Sequence, residues 1–311
     1  MDITTTFTTI LALVLIFLFA IQKFGHQIER VAGKRLREVF HNFTNRPSKA
    51  IAVGTLVSSI LPSSMAISVI LVDLVNAGII ASYNAIGVVV GANLGIIVTS
   101  QLIALNMTYV APIVVIIGFI VSHTHSKFKK YGKAVFYFGV IFLALFIISI
   151  LIEPLKSNPQ FLSFLQSISN PYEAIIIGAV LTIMVQSGAL FAGLVLILAN
   201  GNLIGLPEAV GFLLGCGITP ALTAVVASTS ATLEAKKVAI ANAYFNIGGV
   251  ILFAPFLYPF IKLLQFISTN EVQQIVNATF IFNVSIAILC FVFFKYFDRL
   301  VEKTTVLLYK K

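Results

Sequence analysis

Hydroxyl and carboxamide side chains interrupt the apolar stretches of this sequence at two comparable places. Residues 61–64 read Leu-Pro-Ser-Ser and residues 186–188 read Gln-Ser-Gly, each near the middle of an apolar run. Such groups can donate hydrogen bonds to an oxyanion and can offer oxygen atoms to a cation. Serine also packs between membrane helices as a small residue, which is the simpler interpretation. Because such side chains fall where both apolar stretches are interrupted, we expect four of these residues to bind a solute: Ser63, Ser64, Gln186 and Ser187.

Three asparagines, Asn93, Asn246 and Asn283, also lie deep in apolar runs. An unpaired amide in hydrocarbon costs several kcal/mol, so each must bind another helix or a solute. Both interpretations stay open from the residues alone. We predict Asn93 as a substrate ligand and Asn246 and Asn283 as cation ligands.

Asp73 is an acid within an apolar stretch, and intramembrane acids are usually functional. It follows Ser63 by ten residues, or about 15 Å of helix, which would return it toward cytoplasmic water. We include Asp73 as a candidate cation or proton ligand beside that alternative. The histidines, in contrast, all fall in segments with cytoplasmic character and are predicted to be solvated: His26, His41, His123 and His125. Cys216 and Cys290 lie in apolar runs, which indicates small buried residues and no disulfide framework.

The elements that carry these side chains are predicted to be membrane helices. The sequence is 59% hydrophobic and 10% charged, with a mean hydropathy of +1.04, so it has too few polar groups for a soluble surface. Apolar runs of roughly 17 to 25 residues, the length that crosses a bilayer, recur throughout. The net charge of +9 resides in loops and forms no basic domain, which excludes a nucleic-acid partner. Motifs for catalysis are absent from the apolar runs, so an enzyme is not expected.

Basic residues set the expected orientation. They cluster at 23–49, 127–133, 236–237 and 295–311, which the positive-inside rule places in the cytoplasm. The first apolar run, 8–21, precedes its basic residues and is predicted to be an uncleaved span with the N-terminus outside. Seven spans then cross the plasma membrane, and the C-terminus is cytoplasmic.

The sequence also contains an internal repeat. A shift of 124 positions superposes six identical pairs: Gly54 on Gly178, Ser63 on Ser187, Asn76 on Asn200, Gly87 on Gly211, Gly91 on Gly215 and Thr99 on Thr223. Each copy begins with an apolar stretch whose two arms, of about 11 to 15 residues, are too short to cross. We predict two re-entrant hairpins, although a single kinked helix is an alternative in the first copy. When the spans are counted, the second copy enters the membrane from the side opposite to the first. Such inverted repeats with broken helices are typical of secondary transporters.

The predicted organisation divides the chain into six parts. They are an N-terminal span (1–22), a cytoplasmic amphipathic helix (23–49), a first repeat with its hairpin (50–133), a linking span (134–152), a second repeat with its hairpin (153–263), and a last span with a basic tail (264–311). The fold class is all-α and polytopic.

Several stretches resemble the sodium/phosphate cotransporter family, type II and bacterial branch. They are residues 31–36 (VAGKRL), 45–54, 75–78 (VNAG), 91–95 (GANLG), 245–246 (FN), 276–278 (VNA) and 282–283 (FN). The family's hairpin tips read Gln-Ser-Ser-Ser and meet at the substrate. This sequence keeps Gln186 and Ser187 at one tip and Ser63 and Ser64 at the other. Thr219 and Pro220 stand where the family has Gly-Thr, and we include Thr219 as a cation ligand.

The resemblance implies sodium-coupled transport of inorganic phosphate or a similar small oxyanion by alternating access. Sodium is then a coupling ion, no other cofactor is expected, and the protein lies in the lipid bilayer, with an oligomer possible. Because the tips have lost several amide and hydroxyl groups, two alternatives are kept. One is a diverged member that carries another solute, and the other is a membrane scaffold that does not transport.

Overall fold

The computed structural model describes residues 3–60, 64–104, 110–124, 128–168 and 170–309. Within these ranges the regular elements are helices. In chain order they are α1 (Ile3–Phe43), α2 (Pro47–Ile60), α3 (Ser64–Asn76), α4 (Ser82–Ala104), α5 (Val110–His123), α6 (Lys129–Leu151), α7 (Pro159–Ser167), α8 (Pro171–Val185), α9 (Gly188–Asn200), α10 (Leu206–Cys216), α11 (Thr219–Ala227), α12 (Leu233–Ala243), α13 (Gly249–Phe253), α14 (Leu257–Ile267), α15 (Glu271–Val292) and α16 (Phe294–Tyr309). A 3₁₀ turn, Glu153–Ser157, follows α6, and a π-helical turn, Tyr244–Gly248, follows α12.

Five helical segments in the described ranges are long and apolar enough to cross a membrane: Thr4–Ile28, Lys129–Ser157, Leu206–Ala227, Leu233–Ile267 and Glu271–Val292. They coincide with five of the seven predicted spans. The other two correspond to α4 and α5, which are apolar but shorter within the described residues. On α5 one whole face of isoleucines (Ile113, Ile116, Ile117, Ile120) is exposed, which suits lipid and not water. The chain is an all-α polytopic membrane protein.

Helix α1 differs from the two elements predicted at 1–22 and 23–49. It runs without interruption from Ile3 to Phe43, over 41 residues. At 1.5 Å per residue this is about 60 Å, roughly twice the hydrocarbon thickness, so part of α1 must lie beyond the bilayer. The helix continues because no proline occurs before Pro47, and the change from apolar to basic residues does not break backbone hydrogen bonds.

The second predicted break is present. Helix α8 ends at Val185 and α9 begins at Gly188, so Gln186 and Ser187 separate two helical arms of 15 and 13 residues. In the first copy, α2 ends at Ile60 and α3 begins at Ser64. The tip between them, with Ser63, lies outside the described residues.

The two copies pack their helices in the same way. Helix α4 lies against α2, and α10 lies against α8. A Cβ atom at Gly91 would collide with the carbonyl oxygen of Ile51, and one at Gly215 would collide with that of Ile175. Because 124 positions separate Gly91 from Gly215 and also Ile51 from Ile175, the sequence repeat coincides with a repeated helix crossing.

Elements from the two copies then interleave. Helix α12 packs against α3 and α4 of the first copy, α9 contacts α4, and α15 packs between α4 and α10. The core therefore lies where α3, α4, α9, α10, α12 and α15 meet. The buried asparagines Asn93, Asn242 and Asn283 lie on these helices.

Candidate functional site

The break between α8 and α9 is held in an unusual backbone conformation. Gln186 has φ 54° and ψ 26°, in the left-handed region that non-glycine residues seldom adopt. Its N–H donates to Thr182 O at 2.7 Å, and the Oγ of Ser187 accepts from the N–H of Leu190 at 3.3 Å. Such conformations persist where the surrounding structure enforces them, and they cluster at functional sites.

Ser187 is the N-cap of α9, which leaves backbone donors at the start of that helix. The N–H groups of Gly188 and Ala189 belong to the first turn, where no intrahelical acceptor exists. A helix N-terminus also carries a partial positive charge that favours anions. Gly188 and Ala189 stand where the Gln-Ser-Ser-Ser tip has its last two serines. They offer no hydroxyl group, but they still offer backbone N–H donors.

A cavity of about 670 Å³ lies at this break. Five of the nine predicted site residues line it together: Asn93, Gln186, Ser187, Asn246 and Asn283. They come from α4, from the α8–α9 break, from the π-helical turn and from α15. Gly188 and Ala189 also line it. The residues predicted from separate apolar runs thus surround one space.

A buried hydrogen-bond network adjoins the cavity, with Asn242 at its centre. The Oδ1 of Asn242 accepts from the Nδ2 of Asn246 at 2.9 Å and from the Nδ2 of Asn93 at 3.3 Å. Its own Nδ2 donates to Ser68 Oγ at 3.1 Å and to Pro220 O at 3.2 Å. Asn242 is fully buried. One carboxamide therefore connects α3, α4, α11 and the turn after α12.

The network orients the amides of the cavity. Asn93 also donates to Val89 O at 2.9 Å, and Asn283 donates to Thr279 O at 2.8 Å. Every side-chain hydrogen bond of Asn93, Asn246 and Asn283 to the described part of the chain thus uses Nδ2. Their three Oδ1 atoms remain as acceptors, which are the ligands that a hard cation prefers.

Thr219 begins α11 beside the cavity but does not line it. Its side chain is buried, and its Oγ1 has no hydrogen-bond partner within the described residues. The neighbouring Pro220 and Gly217 do line the cavity. A buried hydroxyl without a partner is costly and calls for a ligand or a structural change that satisfies it.

The remaining predicted residues lie elsewhere or cannot be placed. Asp73 is exposed on α3 and is not among the cavity-lining residues. Ser63 lies outside the described residues, and Ser64 is described only as the first residue of α3. The structure therefore brings the second tip together with the amides, and it leaves the predicted roles of Asp73, Ser63 and Ser64 as predictions.

Sequence reasoning missed three residues of this region: Asn242, Ser68 and His26. Asn242 precedes Asn246 by four positions, a spacing that places both on one helix face and could have drawn attention to it. His26 was predicted to lie in a solvated cytoplasmic segment; its side chain is exposed, and the side of the membrane that it faces stays a prediction. Because α1 continues without a break, His26 lines the cavity together with Gln186 and Ser187.

These observations define a class: an α-helical multi-pass membrane protein in which a helix break and buried amides contribute to the lining of a cavity. Comparison with known proteins identifies the family. The chain belongs to the Na⁺/Pi-cotransporter family, whose model matches residues 16–149. The match covers α1 to α6 and ends before the break at Gln186.

Curated relatives extend the similarity to most of the chain. It is 30% identical to the uncharacterized protein YqeW of Bacillus subtilis (strain 168), over 94% of this chain and 95% of that protein. It is 23% identical to the putative inorganic phosphate export protein YjbB of Salmonella typhimurium, over 82% of this chain and 48% of that protein. Sodium-dependent phosphate transport protein 2B of Bos taurus is 35% identical over 30% of this chain and 14% of its own length. No solved structure matches.

Proposed function

We propose that the protein is a secondary active transporter that moves inorganic phosphate, or a similar small oxyanion, together with sodium. The observation that carries the proposal is the cavity at the α8–α9 break, which joins anion donors and cation acceptors in one space. The family supports phosphate as the solute, as do the relatives named for phosphate export and for sodium-dependent phosphate transport.

The anion would bind at the start of α9. Ser187 and the amide of Gln186 supply side-chain donors, and Gly188 and Ala189 supply backbone N–H groups. No lysine or arginine is among the described residues that line the cavity. A divalent oxyanion there needs other positive charge, which a helix N-terminus and a bound cation provide.

The cation would bind among the amide oxygens. Asn93 and Asn246 both donate to Asn242, and Asn246 presents its Oδ1 near the α10–α11 junction, where a Cβ atom at Gly217 would lie 3.6 Å from it. Thr219 follows Gly217 by two residues and has an unsatisfied hydroxyl. Neutral oxygen ligands of this kind suit sodium, and binding would satisfy a buried polar group.

Alternating access would require the two copies to move against each other. The copies are tied at one end of the molecule, where the N–H of Thr232 donates to Asn76 Oδ1 at 2.8 Å and Ser82 donates to Glu234. These contacts join the end of the first hairpin to the α11–α12 loop. Under this proposal they form a closed gate that opens as the solute passes, on the cytoplasmic side if the basic loops face inward.

The test is uptake of labelled phosphate into proteoliposomes that contain purified protein, with and without an inward sodium gradient. Sodium-stimulated uptake by the wild type is expected. Gln186→Ala removes a hydrogen-bond donor to a charged group and should lower apparent phosphate affinity roughly tenfold. Ile183→Ala is a matched control, because Ile183 is an exposed apolar residue of α8 outside the cavity lining.

The outcomes separate the alternatives. Sodium-dependent uptake of another anion, with phosphate inert, would indicate a diverged solute at the same site. A protein that reconstitutes well but carries no tested anion would support the scaffold interpretation. If Gln186→Ala transports like the wild type at limiting phosphate, the anion does not bind at this break.

A further inference from the structure

The C-terminal helix α16 has one face that packs against the rest of the protein. On this face Phe294, Val301 and Thr305 are buried. The ring of Phe294 lies against Tyr83 of α4, with ring centroids 5.1 Å apart, and Phe294 and Val301 belong to an apolar cluster with Ile240 of α12. This packing fixes which side of α16 points away from the protein.

The side of α16 that points away carries an apolar stripe. Tyr296, Leu300 and Leu307 follow one another at spacings of four and seven residues, which places them on one helix face. All three side chains are exposed, and Leu307 is 83% exposed. An exposed apolar patch of this kind marks a surface that contacts another protein or a membrane.

A basic stripe runs beside the apolar stripe. Lys295, Arg299 and Lys303 recur every four residues and are exposed. Within the described part of the chain, none of the three forms an ion pair. Like charges four residues apart destabilise a helix, so an anion bound beside them would be stabilising. Glu302, in contrast, faces α12, where its Oε1 lies 3.1 Å from the Nζ of Lys237.

Helix α16 begins where a candidate membrane span ends. The span formed by α15 runs to Val292, and Phe293 alone separates it from α16. Leu289, Phe291 and Val292 at the end of this span are exposed apolar residues, and so is Phe293. The exposed apolar surface of α15 therefore extends along the chain to the first turn of α16, at the level of the membrane surface.

We propose that α16 is an interfacial helix that binds anionic lipid headgroups. The apolar stripe enters the boundary of the acyl chains, and the basic stripe contacts the lipid phosphates. A second copy of this chain fits the surface less well, because a two-fold contact through these stripes brings like charges together. The role is independent of the solute in the cavity, since no described residue of α16 lines the cavity.

Tryptophan fluorescence tests this role, because the sequence contains no tryptophan. Tyr296→Trp places a single reporter on the apolar stripe, and Leu300→Trp, in a separate protein, places one a turn later. Each purified protein is reconstituted into phosphatidylcholine vesicles with a minor fraction of phosphatidylglycerol, and either lipid carries brominated acyl chains. Bromine quenches a nearby indole, so the two quenching values give the affinity for phosphatidylglycerol relative to phosphatidylcholine.

We expect both lipids to quench both reporters and phosphatidylglycerol to be preferred at least about fivefold. One basic residue near an anionic membrane surface already contributes roughly that factor. Replacing the basic stripe by glutamine in the same reporter protein should reduce the preference to near one. Quenching by brominated phosphatidylcholine should persist, which shows that the variant is still folded in the membrane. The three changes are Lys295→Gln, Arg299→Gln and Lys303→Gln.

The matched control removes the same charge from the start of α6, through Lys129→Gln, Lys130→Gln and Lys133→Gln. This variant should keep the preference at the α16 reporters. An equal loss of preference in the α6 variant would mean that only net charge matters, and it would overturn the proposal. Equal quenching by the two lipids in the unaltered reporter protein would show contact without selection of headgroups, which also overturns it. If neither brominated lipid quenches either reporter, the stripe lies away from the bilayer and the proposal is wrong.

Discussion

At the scale of single residues, the site depends on a carboxamide that no solute needs to touch. Asn242 uses both donors and its acceptor on protein partners, and it is fully buried. By receiving the Nδ2 groups of Asn93 and Asn246 it leaves their Oδ1 atoms for a ligand. We therefore regard Asn242 as a positioning residue for the proposed cation site.

Asn242→Leu should weaken both folding and sodium binding. The isosteric change removes the acceptor for two amides and the donors to Ser68 and Pro220, at a cost of roughly 1–3 kcal/mol for each polar group left unsatisfied. Thermal unfolding of the purified protein in detergent, with and without sodium, is the measurement. Wild type should be stabilised by sodium, as any ligand of the native state stabilises it. Asn242→Leu should lose most of the stabilisation that sodium gives to the wild type.

A control for this prediction is Asn277→Leu, in the first two turns of α15. Asn277 accepts a hydrogen bond from Gln273 at 2.9 Å and does not line the cavity, so its loss should leave the sodium increment intact. If Asn242→Leu is merely less stable but keeps the full increment, Asn242 has only a structural role.

At the scale of elements, some features were predictable because they depend on local residues. The break at Gln186 and Ser187 was predictable because polar and small residues there divide an apolar run into two arms that are each too short to cross a membrane. The continuity of α1 was not visible, because a helix keeps its hydrogen bonds across a change in polarity. That continuity places His26 on the same helix as the first span, where it lines the cavity.

The C-terminal helix α16 is attached to the body of the protein by a small charged cluster. Lys237 is only 8% exposed, and its Nζ lies 2.9 Å from Glu234 Oε1 and 3.1 Å from Glu302 Oε1. Tyr244 and Thr304 share a hydrogen bond of 2.8 Å. In this cluster burial raises the pKa of Asp298, as do the carboxylates of Glu302 and Glu234, while Lys237 lowers it.

The shift of Asp298 predicts a dependence on pH. A carboxyl group whose pKa is raised in the packed state favours that state when protonated, so the packing of α16 should loosen as pH rises through the raised pKa of Asp298. Asp298→Asn should remove this loosening, whereas Glu302→Gln should increase the mobility of α16 by taking a partner from Lys237. Hydrogen exchange of α16, compared between each variant and wild type at the same pH, measures both. Equal exchange in all three proteins would contradict the prediction.

At the scale of the whole molecule, the repeat was predictable because its conserved spacing reflects helix crossings. Gly54 and Gly178 sit at equivalent close approaches, to the carbonyl oxygens of Val88 and Phe212, where no side chain fits. The Asn242 network was not predictable, because which amides meet depends on how α3, α4 and α12 are brought together. Periodicity within one helix does not contain that information.

The orientation of the molecule in the membrane is predicted from its charges, and contacts in the structure indicate which segments lie on the same side. The end of α3 meets the start of α12, where Asn76 accepts from the N–H of Thr232, and Lys237 of α12 pairs with Glu302 of α16, so these segments must share one side of the membrane. Lys156 approaches Gly201, at 3.3 Å from a Cβ atom placed there, so the turn after α6 and the end of α9 lie together as well. The positive-inside rule assigns the first group to the cytoplasm and leaves the second outside.

Single cysteines test this assignment. Lys129→Cys and Lys236→Cys should react with a membrane-impermeant thiol reagent only when the cytoplasmic face is open to it, whereas Ser157→Cys and Gln273→Cys should react from outside in intact cells. Unmodified protein is the control, because Cys216 and Cys290 are buried and should react with neither treatment. Labelling of Lys129→Cys and Ser157→Cys from the same side would rule out the inverted arrangement of the two copies, since the crossing of α6 between them is what inverts the second. Labelling of all four positions with sides exchanged would instead keep the inversion and reverse the whole protein.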